Sequence, residues 1–323
     1  MARLHQGVPA STDGRSYQVS FTNLKVKSSR LSASVRPSIM AASIQRVADM
    51  HLKPLGPDVF LCVGEDHQSV ATVFLDGNDA LLVDALGSAA DAAALRVLIC
   101  DELGKTVRVI VATHFMSDHI AGLSTFPDAM VIAHRNYRHT FLSQNRRVDA
   151  FYCEPQVVFD SAMRIRWGRH ELRLLHNPGK TMDHISVDVP TADLVCVGDN
   201  IVGNIVYLSK ADPVQIRTAI GRVKQFGRGT VVGGHMGPFD AAVLDNALHY
   251  LDRIRQSVVA IRAQGEGESL ASRLATLRIG DCLAPGVEAS AFETAWHLRN
   301  LEAIESQGIF ELDTYLARSA DVA

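Results

Sequence analysis

A chain of 323 residues, 47% hydrophobic and 21% charged, has the composition of a globular protein with a buried core, in one large domain or two ordinary ones. Its formal net charge of −3 leaves no basic footprint for nucleic acid or an anionic membrane surface, and no apolar run approaches the length of a membrane span. Five scattered cysteines (Cys62, Cys100, Cys153, Cys196, Cys282) without a Cys-x-x-Cys pair indicate reduced thiols and a cytoplasmic protein rather than a disulfide framework.

Residues 1–48 are rich in Ser, Arg and Lys, carry Asp13 as their one acid and lack the apolar stretch of a secretion signal. They read as a flexible leader: a disordered tail, a start placed too early with Met40 or Met50 as the real one, or an organelle transit segment. Regular patterning begins at Asp58. Residues 59–63 and 70–75 read as strands around the polar turn 64–68, and residues 80–84 as a third strand. Residues 89–103 are Ala-rich at helical spacing, with Gly104 placed to cap them.

The β-branched run 107–112 reads as a buried strand. Directly after it, Thr113-His114-Phe115-Met116-Ser117-Asp118-His119-Ile120-Ala121-Gly122 sets two imidazoles and a carboxylate within six residues. That is the ligand chemistry of zinc or another borderline divalent ion. A short strand at 130–133 and a polar helical segment to about Asn145 follow. A second set of strands begins near Gln156: 163–167, 171–176, 185–189 and 194–198, separated by Gly, Pro and Asp. A helix over 212–226 and a strand over 230–232 lead into Gly233-Gly234-His235-Met236-Gly237. Two strand-rich halves, each closing with helices, predict two sheets packed face to face with helices outside. Residues 241–263 place Val243, Leu244, Ala247, Leu251, Ile254, Val258 and Ile261 on one helical face, so the tail 241–323 is expected to be a helical extension packed on the sandwich.

The order His114, Met116, Asp118, His119 resembles the His-x-His-x-Asp-His motif of the metallo-β-lactamase superfamily, with Met116 where the second His belongs. Further positions match in chain order. Gly198-Asp199 corresponds to the Gly-Asp whose carboxylate bridges two metals, and Gly234-His235-Met236-Gly237 to the Gly-His-Gly that supplies the last His. Pro178-Gly179-Lys180-Thr181 stands where the family has Gly-His-Thr, so Lys180 replaces a ligand. The resemblance covers roughly residues 50–260 and implies an α+β fold, a four-layer αββα sandwich over 49–240. The run 292–302 is similar to the helical tail of hydrolase-like branches, where it would cover the sandwich or make a homodimer contact; no chemistry is expected on it.

In the family, one ion takes three His, and the other takes the loop's Asp and final His plus the terminal His. Mapped residue by residue, the three-His site keeps only His114, whereas the second keeps Asp118, His119, Asp199 and His235. The resemblance therefore implies one ion where two are usual, Zn²⁺ first, with iron or manganese as alternatives. Lys180 is expected to replace the missing cation by pairing with Asp199, and to bind a substrate carboxylate or a developing oxyanion. Met116 would fill apolar volume beside it.

The function implied is metal-dependent hydrolysis of an ester, thioester, lactone or amide in a small molecule, with Asp118 or His114 orienting a water or taking its proton. Two alternatives are a decayed metal- or ligand-binding pseudoenzyme and an iron-dependent redox enzyme. Single-iron members resemble the three-His site, which is the one missing here. A nuclease is disfavoured by the absence of a basic surface. His134, His139 and His184 read as hydrogen-bonded core or surrounding residues, His67 as an exposed turn residue and Cys196 as core. Specificity is expected in the loops around His67, 145–152 and 203–210.

Overall fold

The computed structural model describes residues 17–20, 50–263 and 269–311. The leader expected over 1–48 lies outside these residues except for one strand, β1 (Tyr17–Ser20), which runs parallel to β9 (Ala162–Trp167) with Tyr17 opposite Met163. That segment is therefore part of a sheet rather than free leader.

One sheet has seven strands in sequence order: β2 (Lys53–Gly56), β3 (Val59–Val63), β4 (Val70–Asp76), β5 (Asp79–Val83), β6 (Thr106–Val111), β7 (Met130–His134) and β8 (Val157–Phe159). The pairs from β2 to β5 are antiparallel and those from β5 to β8 parallel. The other sheet runs β1-β9-β10-β11-β12-β13-β14, where β10 is His170–His176, β11 Ile185–Val189, β12 Leu194–Gly198, β13 Thr230–Gly233 and β14 Phe239–Asp240. Besides β1, the strands missed by pattern are β2, β8 and β14, and all four lie at sheet edges. They are short, and β2 (Lys-Pro-Leu-Gly) carries the residues that blunt an edge, so no alternation marks them.

Successive strand residues point to opposite faces, and this splits the core into three apolar layers. Val70 and Phe74 of β4 join Leu81, Val109, Ile165, Leu174 and Val187 between the sheets. Ala71 and Val73 face outward to Leu95 and Ile99. These belong to helix α1 (Ala89–Arg96) and its π-helical continuation Val97–Glu102, which Gly104 closes at φ +63°. After the short helix α2 (Tyr137–Ser143), helix α3 (Pro213–Lys224) covers the outer face of the second sheet. Its start is set by Asp212, whose carboxylate accepts from the Val214 N–H, and by Pro213 in the first turn. Its buried stripe of Ile216, Ala219, Ile220 and Val223 follows the helical period, each large side chain contributing about 1.5–3 kcal/mol by burial.

The C-terminal helices α4 (Ala242–Ala263), α5 (Leu270–Leu274) and α6 (Ala291–Ser306) share this outer layer. Tyr250, Ile254, Trp296, Leu301 and Ile304 pack in one cluster with Val195, Val197 and Ile220. Helix, sheet, sheet, helix is the four-layer sandwich. No helix among the described residues is long and apolar enough to cross a membrane.

Candidate metal centre

Strands β5, β6, β12 and β13 end at one rim of the sandwich, and each delivers polar residues just beyond its last apolar position: Asp84, His114 to His119, Asp199 and His235. Gly234 stands at the junction: its N–H donates to Gly198 O of the neighbouring strand in the same sheet (2.9 Å), and its carbonyl accepts from Val70 N–H of the other sheet (3.1 Å). Approach is close enough to require glycine. A Cβ on Gly234 would run into Asp199 Oδ1 and lie 2.7 Å from His119 Cε1, and one on Gly198, at φ +48°, would meet His184 Nε2 and Thr113 Oγ1 at 2.7 Å.

Four of the expected ligands converge. One donor atom each from Asp118, His119, Asp199 and His235 lies within 4.8 Å of every other. His119 Nε2 is 3.2 Å from Asp199 Oδ1 and His235 Nε2 is 3.3 Å from the same oxygen. Asp118 stands 3.9 Å from His119 Nε2 and 3.8 Å from His235 Nε2. His119 Nε2, His235 Nε2 and Asp199 Oδ1 are buried without a hydrogen-bond partner. Leaving such groups unmet costs about 1–3 kcal/mol each. His235 Nδ1 donates to the His67 carbonyl at 2.8 Å, which leaves its Nε2 lone pair facing inward, as a metal requires. His119 Nδ1 lies 3.4 Å from Asp84 Oδ2 and makes no hydrogen bond.

The electrostatics agree. Burial opposes protonation of His119, but the Asp199 and Asp118 carboxylates outweigh it and hold the ring's pKa well above the imidazole range. Asp199, despite its burial, is held well below the carboxylate range by His119, His235 and His114. The cluster attracts positive charge, and a divalent cation among these N and O donors fits it.

The remnant of the three-His site looks different. His114 is buried, with Nε2 unpartnered 3.6 Å from Asp199 Oδ2 and Nδ1 3.1 Å from Thr113 Oγ1. Met116 is half-buried on the cleft wall. The expected Lys180–Asp199 ion pair does not form: no carboxylate lies within 4 Å of the ammonium among the described residues. Lys180 is only 6% exposed, donates Nζ–H to the Ser209 carbonyl and sits 4.0 Å from the Tyr207 ring centroid. Its backbone N–H is fixed on Asn200 Oδ1 at 3.0 Å, and from there the four-carbon arm carries the charge to the 207–209 loop instead. Burial pushes its pKa down to about 8, against the pull of Asp199 and Asp118 and with a further push from Lys210.

Several residues that serve the site had no motif to mark them. Asp84, at φ +59°, accepts from both Thr113 N–H and Thr113 Oγ1–H at 2.7 Å and so positions both His114 and His119. Asp183 accepts from Phe115 N–H at 2.8 Å and Thr181 Oγ1–H at 2.7 Å, which ties the ligand loop to the Lys180 loop. His184, stacked on His114 at 4.8 Å, accepts from the Asp199 N–H at 3.0 Å; burial, then the neighbouring His114, pushes its pKa well down and keeps it a neutral acceptor. His134 stacks on His176 and bonds the Asp160 carbonyl, away from the cluster, and Cys196 is a core thiol that burial pushes up to about 12. The exposed rings of His67 and His139 line the cleft.

Helix α6 covers the sandwich and also reaches the cleft. Phe292 and Trp296 lie 5.6 and 5.8 Å from the His235 ring, and Trp296, Arg299 and Glu302 wall the cleft of about 790 Å³ that Asp118 opens into.

Two face-to-face sheets with an Asp/His cluster at their common rim define a metallo-hydrolase fold. The chain belongs to the metallo-β-lactamase superfamily: residues 64–242, more than half of it, match the family described as Metallo-beta-lactamase superfamily. Among solved structures it is similar to a metallo-beta-lactamase from Pontibacter korlensis, at 20% identity and TM-score 0.55, covering 63% of this chain and 99% of that one. It is also similar to the DIM-1 metallo-beta-lactamase exposed to ceftazidime, at 20% identity and TM-score 0.52, covering 61% and 94%. Likeness at this identity is likeness of fold. No curated protein matches the chain.

Proposed function

We propose that the chain is a hydrolase working with one divalent ion, zinc before iron or manganese, on an ester, thioester, lactone or amide. The observation that carries this reading is the set of buried, unpartnered donor atoms on His119, His235 and Asp199, closed on the cleft side by Asp118. Bound there, the ion would lower the pKa of a water and polarise a carbonyl.

The chain's own residues divide the remaining work. The Asp118 side chain is 21% exposed and faces the cleft, so it is the group placed to orient the attacking water and take its proton. His114, fully buried, stands instead 3.6 Å from the second oxygen of Asp199. Phe292 and Trp296 keep water from the outer side of His235, which strengthens the charge interactions inside. Binding without catalysis is the second reading, favoured by the loss of two His at Met116 and Lys180.

The test is a panel of esters, thioesters, lactones and β-lactams offered to protein as purified, after chelation, and after zinc is returned. Turnover that disappears on chelation, returns with zinc, and falls about 100-fold or more in Asp118→Asn is expected. A zinc-loaded chain that turns over none of them is a binding protein.

A further inference from the structure

The charge of the cleft is opposite to that of the chain. The whole protein carries −3, yet Lys180, Lys210, Arg146 and Arg299 line the cleft, opposed beyond Asp118 only by Asp212 and Glu302. Asp212 is already engaged as the cap of α3. None of the four cations forms an ion pair among the described residues.

They are not equivalent. Lys210 is a brace: its Nζ donates to Ser143 O (2.8 Å) and Asn145 Oδ1 (2.6 Å), and its backbone N–H to Gln307 Oε1 (2.7 Å). It pins the 143–145 segment to the end of α6. Arg299 lies 4.3 Å from the Trp296 ring centroid. Arg146, adjacent to the braced segment, is exposed and unpaired at the rim.

Lys180 is the anomaly. An ammonium has three N–H donors, and here one carbonyl and one aromatic face meet them. One charge-assisted hydrogen bond offsets only part of the cost of burying an ammonium. A structural brace to Ser209 explains the bond but leaves the charge without a counter-ion within ion-pair distance.

We propose that the cleft selects a carboxylate-bearing acyl compound, with Lys180 as the contact for the carboxylate near the scissile carbonyl and Arg146 as an outer contact. This rests on the hydrolase reading for where the scissile bond lies. A carboxylate, with a single charge, fits one buried cation; a phosphate dianion would put a second charge on the same group, facing Asp118 and Asp199. Half-esters and half-thioesters of short dicarboxylic acids are the corresponding substrate class.

Trp296 makes the test direct. The chain has two tryptophans, and the other, Trp167, is buried between the sheets with its indole N–H on Phe74 O at 3.0 Å, a constant background. Zinc-loaded protein is titrated with glutarate and with neutral glutaramide while Trp296 fluorescence is followed. Glutarate is expected to bind at least about tenfold more tightly, and Lys180→Met to erase that preference with metal content unchanged. Arg146→Gln is expected to weaken glutarate about threefold and to flatten its salt dependence.

Equal affinities in the native chain would overturn the proposal. So would a preference that survives Lys180→Met, which would assign the carboxylate to the metal. Should Lys180→Met lose its ion, Arg146→Gln decides, and unchanged affinity there overturns the proposal. Selective glutarate binding by a chain that hydrolyses nothing would keep the anion site and remove the hydrolase reading. Equal hydrolysis of neutral and carboxylated esters would do the reverse.

Discussion

Purified without added metal, the native chain is expected to carry about one divalent ion and His235→Ala to carry almost none. His235 is the least replaceable of the four donors. It supplies one of two imidazole nitrogens, its ring is locked by the His67 carbonyl, and Phe292 and Trp296 press on its outer side. Without it, Asp118, His119 and Asp199 offer one nitrogen and two carboxylates, and affinity is expected to fall by roughly 100-fold or more, since even the outer partners of such ligands cost 10–100-fold. Truncating a buried ring also opens a cavity, so Asp118→Asn, which keeps its volume at a partly exposed position, is the companion variant. Elemental analysis of folded protein reads both. Equal metal in native and variant chains would place the ion elsewhere, and two ions in the native chain would mean that the His114 side is complete after all.

Met116→His combined with Lys180→His is expected to raise the content from about one ion per chain to about two. His114 already presents an unpartnered Nε2, 3.6 Å from the second oxygen of Asp199. What that side lacks is nitrogen donors, and each single replacement supplies only one. The backbone at Lys180 is anchored by its N–H on Asn200, so a shorter ring there starts from the fixed end that the lysine arm leaves behind. A content that stays at one would show that the loop carrying Met116 has moved, and that more than ligand identity has changed.

The sequence exposed the site where ligands follow buried strands directly. The loop after 107–112 and the Gly-Asp after 194–198 stand out because apolar runs stop abruptly at polar residues. Asp84 follows its strand in the same way, but its role depends on β5 pairing with β6, where Val83 stands opposite Val111 and sets Asp84 beside Thr113. That partnership is made in the sheet and has no local signature. Trp296 reaches the centre only through the packing of α6, far along the chain from the last ligand. Lys180 was visible as a departure from the family pattern, but a flexible arm takes its direction from what it meets, and the 207–209 loop is that partner. The central strands were legible from their alternation; β2, β8 and β14 were not, since short edge strands carry little of it.

Proton release on folding depends on the same lysine. Burial lowers its pKa to about 8, with Asp199 and Asp118 opposing, from an ordinary 10.5. An unfolded chain would hold that proton until about pH 10.5, so between these values the unfolded state binds more protons than the native one, and this group's contribution to stability rises with pH. The destabilisation is complete below about pH 8 and relieved toward 10.5, a span on the order of 3 kcal/mol. Melting curves compared between pH 8 and pH 10 should therefore favour the native chain over Lys180→Met increasingly as the solution becomes alkaline. Saturating glutarate, by keeping the ammonium charged, should abolish that gain.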